Sequence, residues 1–309
     1  MTGSRDVDRL PGFSRLVAAQ AHVATRTQLR ALGITSRHVA TQLAAHRWTA
    51  VSSDVVVLHN GPPTVETALW TAVLCAPDPV ALGSWTGLAR HGLVGWARPG
   101  IHVVVARGAT VARRSGVVVH ESRRPAPEDI VRVDGLPVHR VERCAVDAAA
   151  WQDSPRTAVG LLAAVVQQRL TTADRLGEQL DRVGKVRFHR LLRASLADVR
   201  GGADALSEID LVRLCRAHGL PEPSRQVRRQ DARGRTRFLD AEWRLRDGRR
   251  LVVEVDGVGH MEVGRWYDDL LRDAELGHDD RTTAIRLPAA ALRIEPLRVV
   301  AILARHLLA

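Results

Sequence analysis

The sequence predicts a multidomain α/β protein, and three observations carry that expectation. The chain has 309 residues, more than one ordinary core organises at roughly 100–200 residues per domain. Apolar residues make up 45% of it, enough to bury several cores. Helical periodicity alternates with short β-forming runs along its length. No repeat or low-complexity tract interrupts this pattern. No apolar run approaches the roughly 18–20 residues that cross a bilayer. The opening MTGSRDVDRL carries acids and lacks the apolar core of a secretory signal. The expectation is a cytoplasmic protein with no membrane partner. Cys75, Cys144 and Cys215 are far apart and form no CxxC pair, so they read as buried thiols rather than a zinc site or disulfide framework. The net charge of +11 favours a polyanionic partner, DNA first. Lys185 is the only lysine, so an arginine-rich, GC-biased composition accounts for part of that excess.

Residues 1–62 read as a winged helix-turn-helix. Phe13 to His22 is a short amphipathic helix. Thr25 and Gln28 make a capping box for a second helix that runs to Leu32, with Gly33 after it. Ser36 caps a third helix, from Arg37 to about His46, with Val39 and Leu43 facing inward. Arg37, His38, Thr41, Gln42 and His46 then face outward as candidate DNA contacts, because the third helix of this architecture enters the major groove. Trp48–Val51 and Val55–Leu58 are the wing strands, around Ser52-Ser53-Asp54. The competing reading is a small helical bundle with a solvated polar face.

Residues 63–152 read as an α+β unit. A helix begins near Thr64, strands follow at Ile101–Ala106, Val117–Glu121 and Ile130–Val133, and a helix runs from Glu142 to Trp151. Arg143 and Asp147 are spaced for an i,i+4 ion pair. Residues 12–151 resemble the AbiEi-type antitoxin and regulator proteins common in actinobacteria. The matching pieces are Thr25 to Leu29 with Gly33, the wing Val51–Leu58, Ser84-x-Thr86-Gly87-Leu88, and Asp134 to Val138 leading to Arg143 and Asp147. Ser53-Asp54-Val55 stands where that family usually shows Gly-x-Tyr. The resemblance implies DNA binding, transcriptional autoregulation, and a toxin-system partner or a second copy of the chain.

Residues 153–202 form a helical connector, and the paired Gly201-Gly202 marks the boundary to a last domain, 203–309. Ala203 to His218 is a helix closed by Gly219. Its Glu208 shares an apolar stripe with Leu211, Val212 and Cys215, where a lone carboxylate needs a cation, a protonated state or a basic partner. Thr236–Trp243 is a strand carrying Asp240. Arg250–Asp256 is a second, apolar up to its acids, with Glu254 and Asp256 on one face. The turn at Asp247-Gly248 decides whether Asp240 joins them. A two-residue loop pairs Asp240 with Val255 and separates the acids. A three-residue loop, Arg246-Asp247-Gly248, pairs Leu245 with Arg249 and sets Asp240 opposite Glu254. Carboxylates so gathered need a cation, and oxygen ligands suit Mg²⁺ or Mn²⁺. A helix from about Arg265 to Leu276, a strand Thr282–Leu287 and a final helix Pro296–Leu308 complete the domain.

This order, with Glu208, Phe238-Leu239-Asp240, Val253 to Gly257, His260 and Asp269-x-x-Arg272, resembles the domain family related to very-short-patch-repair endonucleases, within the PD-(D/E)xK nuclease superfamily. The resemblance implies a restriction-endonuclease-like three-layer α/β domain. Asp240, Glu254 and the Val255 carbonyl would hold the metal, His260 would act as acid or base, and Arg272 would bind a phosphate oxygen. Asp256 occupies the place of the superfamily's usual lysine. Two functions follow: a metal-dependent DNA endonuclease, or a DNA-binding regulator or antitoxin-like protein with an inactive nuclease fold. An RNA-directed nuclease is a third, which nothing in the sequence separates by sugar.

Overall fold

The computed structural model describes residues 11–124, 127–230, 236–256 and 282–308. Among these, twelve α-helices and three sheets make a mixed α/β protein. The chain divides into two units, residues 1–144 and 145–309. No helix among the described residues is long and apolar enough to cross a membrane.

The first unit begins with α1 (Pro11–Ala19), β1 (Val23–Thr25), α2 (Arg26–Ala31) and α3 (Ser36–Ala44), followed by β2 (Thr49–Ala50) and β3 (Val55–Val57). The capping box forms as the sequence predicts. Gln28 N–H donates to Thr25 Oγ1 at 3.0 Å, and Thr25 N–H donates to Gln28 Oε1 at 2.9 Å. Gly33, at φ +83°, turns the chain where a side chain would be strained. The α3 cap is Thr35, not Ser36: its hydroxyl accepts from His38 N–H at 3.2 Å, so the helix starts one residue earlier than expected. The strands order as β1-β3-β2, all antiparallel. Phe13, Leu29, Ile34, Val39 and Val56 are buried as one core.

The rest of this unit holds α4 (Val65–Leu74), β4 (Val80–Leu82), α5 (Ser84–Arg90), β5 (Ile101–Ala106), β6 (Val117–Ser122), β7 (Ile130–Val133) and β8 (Leu136–His139). They build a five-stranded mixed sheet in the order β6-β5-β4-β8-β7. Gly87 permits a close approach: a Cβ there would sit 2.3 Å from Cys144 Sγ, so α5 meets the next helix, α6 (Val141–Ala150), only without a side chain. Arg143 reaches Asp129 at 3.0 Å, with 3% and 1% of the two side chains exposed. It also donates to Ser122 Oγ and to the Arg124 carbonyl. This buried pair ties α6 to the sheet over a longer range than the expected helical spacing to Asp147.

The second unit contains α7 (Pro155–Gln167), α8 (Ala173–Val183), α9 (His189–Ala197) and α10 (Ala203–Ala217). Gly201-Gly202 does not simply stop a helix. Residues Asp198–Gly202 form a wide π-type turn that leads directly into α10. After it come β9 (Ser224–Gln230), β10 (Thr236–Arg244), β11 (Arg250–Asp256), β12 (Thr282–Pro288), α11 (Ala289–Ile294) and α12 (Pro296–Leu307). The sheet order is β12-β11-β10-β9. β11 and β12 are parallel, and the other neighbours are antiparallel. Ala241, Trp243, Leu251, Val253, Ile285 and Leu287 alternate inward and are buried. Helix α10 packs on β10 and β11, burying Leu211, Val212 and Cys215. Arg293, on α11, bonds Asp198 and Asp210, each at 2.7 Å. Burial raises the Asp198 carboxyl above its ordinary pKa, against the opposing hydrogen bond and charge of Arg293.

Candidate functional site

Two groups of residues stand out, one in each unit. Arg37 and Thr41 on α3 are exposed, as the sequence predicts; His46 is exposed too, but in the turn after the helix, which ends at Ala44 rather than near His46. Gln42 is not: it is 4% exposed. The inward stripe of α3 is Val39, Gln42 and Leu43, spaced i, i+3 and i+4, so Gln42 flanks Val39 on the helix face that turns to the core. The Gln42 amide nitrogen lies 3.2 Å from His38 Nε2. Half-buried His38 also meets the Trp48 ring edge-on at 5.9 Å. These two residues therefore join α3 to the strand that follows, and the open face is Arg37, Thr41 and His46. Sequence reasoning missed Arg47, which is exposed beside His46 and extends this basic edge.

In the second unit, the β10–β11 turn settles the alternative left open by the sequence. Leu245 N–H donates to the Arg249 carbonyl at 2.8 Å, and Gly248 N–H donates to Leu245 at 3.1 Å. Gly248 sits at φ +82°. This is the three-residue loop, with glycine in the left-handed position. Asp247 holds it closed, accepting from the Arg249 backbone at 3.0 Å and its guanidinium at 2.5 Å. Those hydrogen bonds hold the Asp247 carboxyl below its ordinary pKa. The strands then pair Arg244 with Arg250, Trp243 with Leu251, Glu242 with Val252 and Ala241 with Val253. Continuing that register by one residue brings position 240 level with Glu254.

Glu254 is half-buried, and Arg286 Nε donates to its Oε2 at 2.9 Å. Arg286 is the register partner of Glu254 on parallel β12, so sheet pairing alone puts the guanidinium there. With 63% and 36% of the two side chains exposed, solvent screens the pair. Two residues from Asp240, Glu242 is 3% exposed; the sequence reading passed over it. Glu242 lies on the opposite face from Ala241 and Trp243 and pairs with buried Val252, so both faces of β10 are covered there. The side chains of Glu208, Asp240 and Asp256 lie outside the described residues, as do His260 and Arg272 entirely. Val255 is buried on β11. Among the described residues, no group of three or more His, Cys, Asp or Glu side chains gathers to hold a metal.

The first unit also buries histidines that the sequence did not single out. His102 Nδ1 and His120 Nε2 are 2.9 Å apart in stacked rings. Burial, with the neighbouring His102, pushes the His120 pKa down to about 4. His139 is 5% exposed. Burial and the nearby Arg143 charge push it down to about 4, partly opposed by Asp129. Both rings are therefore neutral near pH 7.

No protein-family model matches this chain, and no curated protein matches it significantly.

Proposed function

We propose that the chain binds DNA through α3 of its first unit and hydrolyses phosphodiester bonds at the β10–β11 acids of its second, acting in the cytoplasm. The observation that carries this reading is the hairpin register, which sets position 240 level with Glu254 at the carboxyl end of a central strand. Two further features support it. Helix α10 followed by β9, β10 and β11, with β12 parallel to β11, fits the restriction-endonuclease-like order that the sequence resembles. Three short helices and a β1-β3-β2 sheet, with Arg37, Thr41 and His46 exposed, fit a winged helix-turn-helix.

Carboxylate oxygens suit a hard divalent cation. Asp240, Glu254 and the Val255 carbonyl would hold Mg²⁺ or Mn²⁺, and half-exposed Glu254 is open to its approach. When bound, such an ion supplies an acidified water and charge stabilisation at the phosphate. In this proposal His260 takes or returns a proton, and Arg272 orients a phosphate oxygen. Glu208 and Asp256 complete the acidic surround.

A second reading is a DNA-binding regulator or antitoxin-like protein with an inert nuclease fold, acting with a toxin component or a second copy. The Glu254–Arg286 pair favours it, because that carboxylate already has a cation. Supercoiled plasmid incubated with the full chain and Mg²⁺ or Mn²⁺ separates the two. The hydrolase reading expects nicking that Asp240→Asn abolishes while DNA affinity is kept. Tight DNA binding with no nicking in either metal leaves the regulator.

A further inference from the structure

We infer that the first unit contains a binding site for a small amphipathic carboxylate, in the cavity between the β2–β3 hairpin, helix α4 and the β5–β6 strands. The cavity has a volume of about 510 Å³, within the range of small-molecule sites. Val57, Ala72, Ile101 and Val117 give it apolar walls, which suit a hydrocarbon or aromatic body. Its fully charged lining residues are of a single sign. Arg113 and Arg114 line it together with Thr71 and Ser115. No Asp or Glu lies among the described residues that line it.

Arg114 supplies the specific observation. Its Nη2 donates to the Val51 carbonyl at 2.9 Å, which fixes the guanidinium plane against the hairpin. A carboxylate in the cavity gains the charge of Arg114, and a guanidinium held in one plane recognises it with direction as well as charge. Arg113 adds a second positive charge to the lining. A neutral ligand of the same body gains the apolar contacts alone. A strongly hydrated inorganic anion gains only the charge and loses water against the apolar walls. The chemistry that satisfies both halves is one carboxylate on a compact apolar frame. This site stands independently of the DNA and nuclease readings.

Octanoate and phenylacetate are suitable probes, with phenylacetamide as the neutral match for phenylacetate. Titration calorimetry on the full chain, without DNA or metal, is expected to show phenylacetate binding at least roughly ten-fold tighter than phenylacetamide, with octanoate also bound. Arg114→Gln is expected to remove the preference, leaving acid and amide alike. Should that variant misfold, the exposed Arg113→Gln supplies the same readout as a reduced preference. Ala68→Phe, which fills the cavity from α4, is expected to abolish binding of all three. Equal affinity for acid and amide in the wild type, an undiminished preference in both arginine variants, or no heat from either carboxylate at about 1 mM overturns the proposal.

Discussion

His139 should make the first unit labile to mild acid, and the size of the effect follows from its burial. The folded ring titrates near 4, whereas an unfolded histidine titrates near 6.5. Between these values the unfolded chain binds a proton that the folded one refuses. Stability is therefore flat above about pH 6.5 and falls as pH drops toward 4. At about 1.4 kcal/mol per pH unit, the ceiling is about 3 kcal/mol, and the loss at pH 4.5 is about 2.5 kcal/mol. That is a large share of the ~5–15 kcal/mol that holds an ordinary domain together. The perturbation is His139→Gln, which keeps a polar side chain and removes the titration. Urea unfolding followed by tryptophan fluorescence at pH 7.5 and 4.5 reads it, the transition that moves with the variant being that of the first unit. The wild type should lose more stability than the variant on acidification, by about 2.5 kcal/mol. His120 and His102 add the same trend to both chains and cancel in the comparison. Parallel pH dependence in the two chains would refute the reasoning, because a ring held neutral by burial cannot be removed without changing the proton balance.

Three further predictions rest on the two candidate sites and the buried core. Arg37→Ala and Arg47→Ala should each weaken DNA binding and reduce the slope of log affinity against log salt by about one, measured by fluorescence anisotropy; Gln42→Ala should lower the melting temperature instead. Arg143→Met should cost ~3–5 kcal/mol of stability, since it leaves Asp129 charged and buried, and chemical denaturation checks it. Arg286→Gln should change stability by less than about 1 kcal/mol yet lower the Mn²⁺ concentration for half-maximal plasmid nicking; an unchanged metal requirement in an active enzyme would show that the pair does not compete with the metal.

The parts of the fold that were legible in the sequence are those with a strong local code. The Thr25–Gln28 box needs only two side chains three residues apart, and it forms. β5 and β7 begin and end where their apolar runs do. Asp247-Gly248 carried the hairpin alternatives, both of which put glycine at positive φ, and the Leu245–Arg249 hydrogen bond separates them. What was hidden depends on tertiary neighbours. β9, with the sequence SRQVRRQ, has no apolar alternation to announce a strand. It lies at the end of the described sheet, where charge discourages pairing with another chain. Gly201-Gly202 reads as a break, yet the backbone continues through a wide turn whose Asp198 is anchored by Arg293 from about a hundred residues away. Gln42 looks solvent-facing by polarity, and only the packing of α3 against its neighbours buries it. The partner of Glu254 follows from β12 being parallel to β11 with Arg286 in register, which no local pattern encodes.

The contrast between two ion pairs bears most directly on the choice between hydrolase and inert fold. Arg143–Asp129 has almost no exposed surface. Breaking it strands a charge in a low-dielectric interior, so it cannot exchange partners. Glu254–Arg286 is different in kind, being exposed on both sides and worth at most about 1 kcal/mol. A carboxylate so weakly committed releases its guanidinium at little cost when a stronger cation arrives. A divalent ion is such a cation: it carries twice the charge and binds oxygen at about 2.1 Å, closer than the 2.9 Å of the Arg286 contact. Under the proposed function, the pair therefore argues against catalysis only if metal binding cannot outweigh about 1 kcal/mol. It also gives Arg286 a place in the proposed reaction: once displaced from Glu254, its positive charge stays on β12 beside the acids, where a phosphate would need a counter-charge. On that argument Arg286→Glu should impair nicking even where metal is saturating, whereas Arg286→Gln should lower the metal requirement and lose only the phosphate contact. Equal nicking by both variants at saturating metal would remove Arg286 from the site.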